Sequence, residues 1–227
     1  MTLLPLTKTL IALASPMVVS LLLVCSGTPE QKLTAPRSTL PISDGFVGEC
    51  KWPVGEMDSF SYGCEQGAYH MHLKKAGPVH VVGAFGLEAQ AVSAEVDARV
   101  DSGAGTEPGR ALLGIGCLTD DSHGYVAMMK TDGTWSIVRL RRGFTPLAGN
   151  NKPGSVPELG RTKRLGIVCD GKSENVTTVT FFVNGQTIES ADDKQGYRWF
   201  NSFALYADTF PGEVVFQRFT ARRPQVR

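Results

Sequence analysis

LLGIGCLTDDSHGYVAMMKTDGTWSIVRL, residues 112–140, carries the pattern that decides the fold. With Ala111 just before it, the opening run puts Leu113, Ile115 and Cys117 at every second position, and side chains at that spacing share one face of a β-strand. Asp132-Gly133 then separates YVAMMKT from TWSIVRL, and such a dipeptide suits the left-handed dihedrals of a tight two-residue turn. The strands on either side are therefore expected to be antiparallel neighbours. A second hairpin is predicted where Asn184-Gly185 separates VTFFV from QTIES.

Outward from these hairpins the same short runs recur. Strands are expected at 67–74, 79–85, 91–100, 111–118, 125–130, 134–141, 164–170, 176–184, 200–207 and 213–221. No convincing amphipathic helix interrupts them. About ten strands with turn residues between them and no crossover helices predict an all-β domain of two stacked antiparallel sheets. This domain is expected to span 44–224.

The ends and the cysteines set the compartment. Residues 1–25 read MTLLPLTKTLIALASPMVVSLLLVC: one lysine, then an almost uncharged apolar run that ends at Cys25. That is the layout of a secretory signal. The run is shorter than the ~20 apolar residues of a spanning helix and is broken by Ser15 and Pro16, so a permanent anchor is the weaker reading. Residues 26–43, rich in Ser, Thr and Pro, read as a flexible tether. Beyond Lys8, basic and acidic residues balance at 22 each, and no field of one sign selects nucleic acid.

Five cysteines are present, and an odd count in an exported chain asks for a leftover thiol with its own role. If Cys25 is that residue, Cys50, Cys64, Cys117 and Cys169 are even in number, and their three connectivities are narrowed by strand phase. Leu165, Ile167 and Cys169 share a face, as do Ala111, Leu113, Ile115 and Cys117, so both cysteines point with the apolar set. Cys117 with Cys169 and Cys50 with Cys64 is the expected pairing, each bridge contributing roughly 3–4 kcal/mol by the chain-entropy model. Buried free thiols are the alternative.

Two resemblances follow from these stretches. The apolar run ending at Cys25 resembles the lipobox of bacterial lipoproteins, which implies acylation of Cys25 and a place on the outer face of the membrane. Val24 stands where that family has a small residue, and ordinary secretion after Ser26 is the rival. The order DGF (44–46), SYGCEQGAYHMHL (61–73), VSAEVDARV (92–100), residues 112–140, RLGIVCDG (164–171), TVTFFVNGQTI (178–188) and FALYADTFPGEVVFQRFTAR (203–222) resembles the concanavalin A-like, laminin G-like jelly-roll domains. The versions it looks like are carried on actinobacterial lipoproteins and on the outer regions of receptor-type kinases. The resemblance implies a two-sheet jelly-roll sandwich and says little about function, because one architecture hosts lectins, enzymes and structural parts.

The chemistry-bearing residues are few. Retaining glycosidases place two carboxylates about 5–5.5 Å apart across a sugar bond, and Glu95 and Asp97 on one strand face are the only candidates for catalysis. Arg99 stands where a further acid would be expected, which favours a polar face with local charge pairing. His70 and His72 share a face but fall short of the three or four protein ligands of a zinc site, so no metal site is expected there. Calcium, the one cofactor the jelly-roll resemblance implies, would need six to eight oxygens; Asp44 and Asp208 are its weak candidates, and Asp120 and Asp121 in the TDDSHG turn are others. Arg139, Arg141 and Arg142 read as a solvated stripe on a strand edge that guards against sheet-to-sheet association, with contact to an acidic polymer the lesser alternative. Trp52, Tyr62, Trp135, Tyr197 and Trp199 are the aromatics that could stack on a sugar, with Trp52, Tyr197 and Trp199 the candidate ligand residues; Trp52 and Trp199 lie in loop-like surroundings, and core or loop-anchoring roles are the commoner alternative. The reading that results is a non-catalytic binding module of the cell envelope, with a glycan or an envelope protein as partner. A structural lipoprotein and a carbohydrate-active enzyme with a degenerate acidic pair are the alternatives.

Overall fold

The computed structural model describes residues 39–75, 77–83, 85–103, 111–152, 162–209 and 211–224. The expected signal segment, Cys25 and most of the tether lie outside the described residues. Among the described residues there are fifteen strands and no helix. One sheet contains β1 (Ile42–Asp44), β2 (Gly55–Glu56), β3 (Phe60–Glu65), β4 (Ala68–Leu73), β6 (Ala91–Gly103), β11 (Lys163–Ser173), β12 (Val176–Val183), β13 (Gln186–Asp193) and β15 (Gly212–Arg222). Its order is β13-β12-β11-β6-β15-β4-β3-β2, with β1 added to β15. The other contains β5 (Gly77–Gly83), β7 (Ala111–Asp120), β8 (His123–Lys130), β9 (Trp135–Leu140), β10 (Phe144–Asn150) and β14 (Ser202–Thr209), in the order β10-β9-β8-β7-β14-β5. β1 starts at Ile42, inside the stretch expected to be tether.

Period-two alternation builds the core. On β6, Val92, Ala94, Val96, Ala98 and Val100 are buried; they meet Leu165, Ile167 and Cys169 of β11 and Val179 and Phe181 of β12 in one cluster with Leu113, Ile115, Tyr125, Ile137, Phe203 and Leu205 of the second sheet. The expected pairings hold: Cys117 is joined to Cys169 between the sheets, with Cα atoms 6.6 Å apart, and Cys50 to Cys64, with Cα atoms 5.6 Å apart. Two disulfides belong to a chain that folds in an oxidising compartment.

The two hairpins differ. Asn184 and Gly185 both take positive φ, 52° and 79°, as a two-residue turn of the primed class requires. At the other, only Gly133 is left-handed; Asp132 instead accepts the Thr134 N–H at 2.9 Å through Oδ1, and residues 131–134 form a longer connection between β8 and β9.

The arginine stripe is corrected. Residues 135, 137 and 139 of β9 face inward, so Arg139 lies inside one end of the sandwich, 9% exposed. It donates to both carboxylate oxygens of Asp193 at 2.9 and 3.0 Å, and Tyr125 Oη donates to the same carboxylate at 3.0 Å. This pair ties the two sheets together across the end where the 194–197 loop begins.

Candidate functional site

The outward face of the nine-stranded sheet begins with the residues between the core positions of β6: Ser93, Glu95, Asp97, Arg99 and Asp101. Antiparallel register sets Gly166 of β11 opposite Glu95, and sets the same glycine opposite Phe182 of β12. Phe181 and Phe182 are consecutive, so alternation sends the first into the core and the second outward; Phe181 is fully buried and Phe182 half-buried. A Cβ on Gly166 would stand 3.2 Å from Glu95 Cγ and 3.4 Å from Phe182 Cβ. Glu95 and Phe182 therefore close in over the buried Gly166, and a groove of about 460 Å³ runs along this strip, lined by Glu95, Arg164, Val168, Thr180, Phe182 and Arg222 among others.

Charges over this groove are fixed by one another. Arg164 Nε donates to Glu95 Oε2 at 2.6 Å, and Arg222 donates to Glu95 Oε1 at 3.2 Å. Arg164 also lies 3.4 Å from Asp97, whose other oxygen pairs with Arg218. Arg218 reaches it because β15 bulges: the register slips between Gln217 and Thr220 and Arg218 adopts a φ of 51°, as bulges do when they re-aim a side chain. Further along, Arg99 donates to Asp101 at 2.6 and 3.0 Å and to Gln217 at 3.1 Å. Partner donors hold Asp101 below the ordinary carboxylate range, the Arg99 hydrogen bond first and burial opposing it.

The groove thus offers an apolar ring beside a planar set of donors and acceptors whose orientation is already set. Sugars present the same two faces: C–H groups that pack on an aromatic ring and vicinal hydroxyls that meet a carboxylate and a guanidinium side by side. Placing a few polar groups beforehand in a concave site is how small-ligand sites gain specificity.

No protein-family model matches the chain, and no curated protein matches it. Among solved structures it is similar to the carbohydrate-binding module CBM66 from Bacillus subtilis, with a TM-score of 0.53 at 12% identity over 76% of this chain and 95% of that one. A variant of the alginate lyase Aly36B in complex with an alginate tetrasaccharide gives a TM-score of 0.57 at 8% identity, over 82% of this chain and 98% of that one. A sialidase gives 0.57 at 10% identity over 80% of this chain, which spans 18% of that longer protein. The fold is a concanavalin A-like jelly roll. At these identities the fold is what is shared, and it occurs in binding modules and lyases alike.

Within this jelly roll the candidate residues separate. Glu95 lines the groove, whereas Asp97 is buried outside its lining and shares only Arg164 with it, and each is held in ion pairs. Trp52 is not on a ligand face: it is 2% exposed, its ring 5.1 Å from Phe219, 5.4 Å from Phe85 and 5.9 Å from Tyr69. The apolar indole is worth more inside than out, and a loop closes over it. Trp199 is 46% exposed, with the Arg198 guanidinium 5.6 Å from its ring centroid. Tyr197 lies in a different place again, on the wall of a pocket at the end of the sandwich.

The calcium candidates are not brought together. Asp44 is on β1 in the nine-stranded sheet, where it accepts the Phe46 N–H at 2.8 Å. Asp208 is on β14 in the other sheet, beside Pro78 and Leu112, and burial pushes its carboxyl up while Lys130 pulls it down. His70 is engaged by Glu213 at 2.6 Å. Phe182, Gly166, Arg164 and Arg222 were not singled out from sequence; two adjacent phenylalanines in an alternating strand were the available signal.

Proposed function

We propose that this chain is an exported, non-catalytic glycan-binding module, held at the outer face of the membrane through Cys25, which takes a sugar chain in the groove over Gly166. The observation that carries this reading is the groove of about 460 Å³ in which the half-buried Phe182 ring lies alongside a fixed carboxylate–guanidinium pair, Glu95 with Arg164. A hydrolase or lyase acid must release a proton and take it back, within hydrogen-bond reach of the reacting atom. Both Glu95 oxygens are already occupied by guanidinium groups, and Asp97 is 3% exposed, which favours binding over turnover.

The test is calorimetric titration of the purified chain with a panel of soluble neutral and acidic oligosaccharides, alongside product analysis of the same mixtures. Saturable binding without cleavage is expected. Cleavage that disappears in Glu95→Gln contradicts the non-catalytic reading; a panel with no ligand contradicts the glycan reading and favours a structural role. Mass measurement of membrane-extracted protein is expected to show a diacyl or triacyl addition on Cys25; an unmodified chain starting beyond Cys25 overturns the anchor.

A further inference from the structure

We infer that the pocket at the end of the sandwich is a second binding site, for a carboxylate-bearing sugar, built on Arg141 and Lys194. The pocket holds about 710 Å³ and is formed where four connections meet: Thr119, Asp120 and His123 at the β7–β8 turn, Arg141 after β9, Asn175 between β11 and β12, and 194–197 after β13. It shares no lining residue with the groove. Asn175 and Phe182 lie near opposite ends of β12, about 20 Å apart at the usual rise per residue.

Its floor is rigid. Arg139 beneath it holds Asp193 in the buried pair and reaches the Gln195 carbonyl at 3.4 Å. The Tyr197 N–H donates to Thr177 Oγ1 at 2.8 Å, the Thr177 hydroxyl donates back to the Tyr197 carbonyl at 2.6 Å, and Tyr197 Oη donates to the Leu140 carbonyl at 2.9 Å. Gly196 cannot be replaced without movement, since a Cβ there would stand 2.3 Å from Thr177 Oγ1. The Tyr197 ring meets Tyr125 edge-on at 5.5 Å and His123 at 6.2 Å, so one wall is aromatic.

The cations of this wall differ from those of the groove. Arg164, Arg218 and Arg222 all have carboxylate partners, whereas neither the Arg141 guanidinium nor the Lys194 ammonium has an ion-pair or side-chain hydrogen-bond partner among the described residues. Arg141 lines the pocket together with Tyr197. The pocket's own acid is committed. Asp120 accepts from the Ser122 N–H at 2.8 Å, the Ser122 hydroxyl at 3.1 Å and His123 Nδ1 at 2.8 Å.

Two free cations against one locally bonded carboxylate leave about one uncompensated positive charge, which suits a monoanion better than a dianion. The arginine fork can take a carboxylate through two bonds while lysine acts as a point charge. Asn175 and Gln195 add amide groups that can meet hydroxyls, and the Tyr197 wall can cover C–H surface. A polyhydroxylated ring bearing one carboxylate, a uronate, matches this set.

The test titrates the whole chain with digalacturonate, with lactose as the neutral disaccharide and with inorganic phosphate, followed by amide chemical-shift changes. Digalacturonate is expected to shift amides of 119–123 and 194–197, more weakly as salt is raised, and Arg141→Gln with Lys194→Gln to reduce its affinity at least tenfold. Gly166→Val leaves these shifts in place, so this site and the groove can fail separately. No shift at millimolar digalacturonate, unchanged affinity in the double variant, or equal affinity for inorganic phosphate or lactose overturns the assignment.

Discussion

Two tryptophan loops of this jelly roll look alike in sequence and do opposite things. Trp52 in GECKWPVG and Trp199 in GYRWFN both sit among turn residues, yet one is 2% and the other 46% exposed. In the first loop the tryptophan is itself the anchor. Its indole fills the aromatic end of the core, Gly83 beneath it has no room for a Cβ (3.0 Å from Trp52 Cε3), Tyr69 Oη donates to the Pro53 carbonyl at 2.6 Å, and the Cys50–Cys64 bridge closes the base. In the second loop the backbone is the anchor. A Cβ on Gly171 would meet the Arg198 carbonyl oxygen at 2.4 Å, so the strand admits the loop by having no side chain, and Trp199 is left outside. What lies opposite a loop, rather than its own composition, decides which way its large side chain turns.

That contrast can be broken by substitution. Trp52→Ala is expected to cost about 3–5 kcal/mol, the usual loss for a large buried aromatic, read from denaturant unfolding; a loss below about 1 kcal/mol would mean the loop does not depend on the indole. Gly171→Ala should cost about 1–3 kcal/mol, the range for forcing an atom into filled space, with amide exchange rising over 196–200. Trp199→Ala should stay within about 0.5 kcal/mol of the parent, as surface substitutions do. If Trp199→Ala destabilised more than Gly171→Ala, the assignment of anchors would be reversed.

The sandwich was legible wherever one face of a strand is buried, because alternation then writes the core positions into the sequence. β6, β7, β11 and β12 show this, and the phase of Cys117 and Cys169 carried their pairing. β10 was not legible: it is an edge strand, mostly exposed, and Pro146 sits at its register shift, where the missing N–H costs no ladder bond. β2, at the other extreme of its sheet, has only two residues. Arg139 was misread because charge outweighed phase; its inward position is tolerable only with Asp193, more than fifty residues further along, to meet it. The groove was half legible. Glu95 and Asp97 were placed on one outward face, but the meeting of Glu95, Gly166 and Phe182 depends on two register pairings that no local pattern specifies.

Glycan binding by this chain requires the groove along Glu95 and Phe182 to be a ligand site. The most direct measurement is a calorimetric comparison of the parent chain with Gly166→Val, using the neutral oligosaccharide of the panel that binds most tightly, since the end pocket is assigned to carboxylate-bearing sugars. A side chain at 166 would press on Glu95 and Phe182 from the outward face of β11, so the prediction is a variant that still folds, about 1–3 kcal/mol less stable, with at least a tenfold loss of affinity. Equal affinity in the two proteins, with the valine variant fully folded, would contradict it.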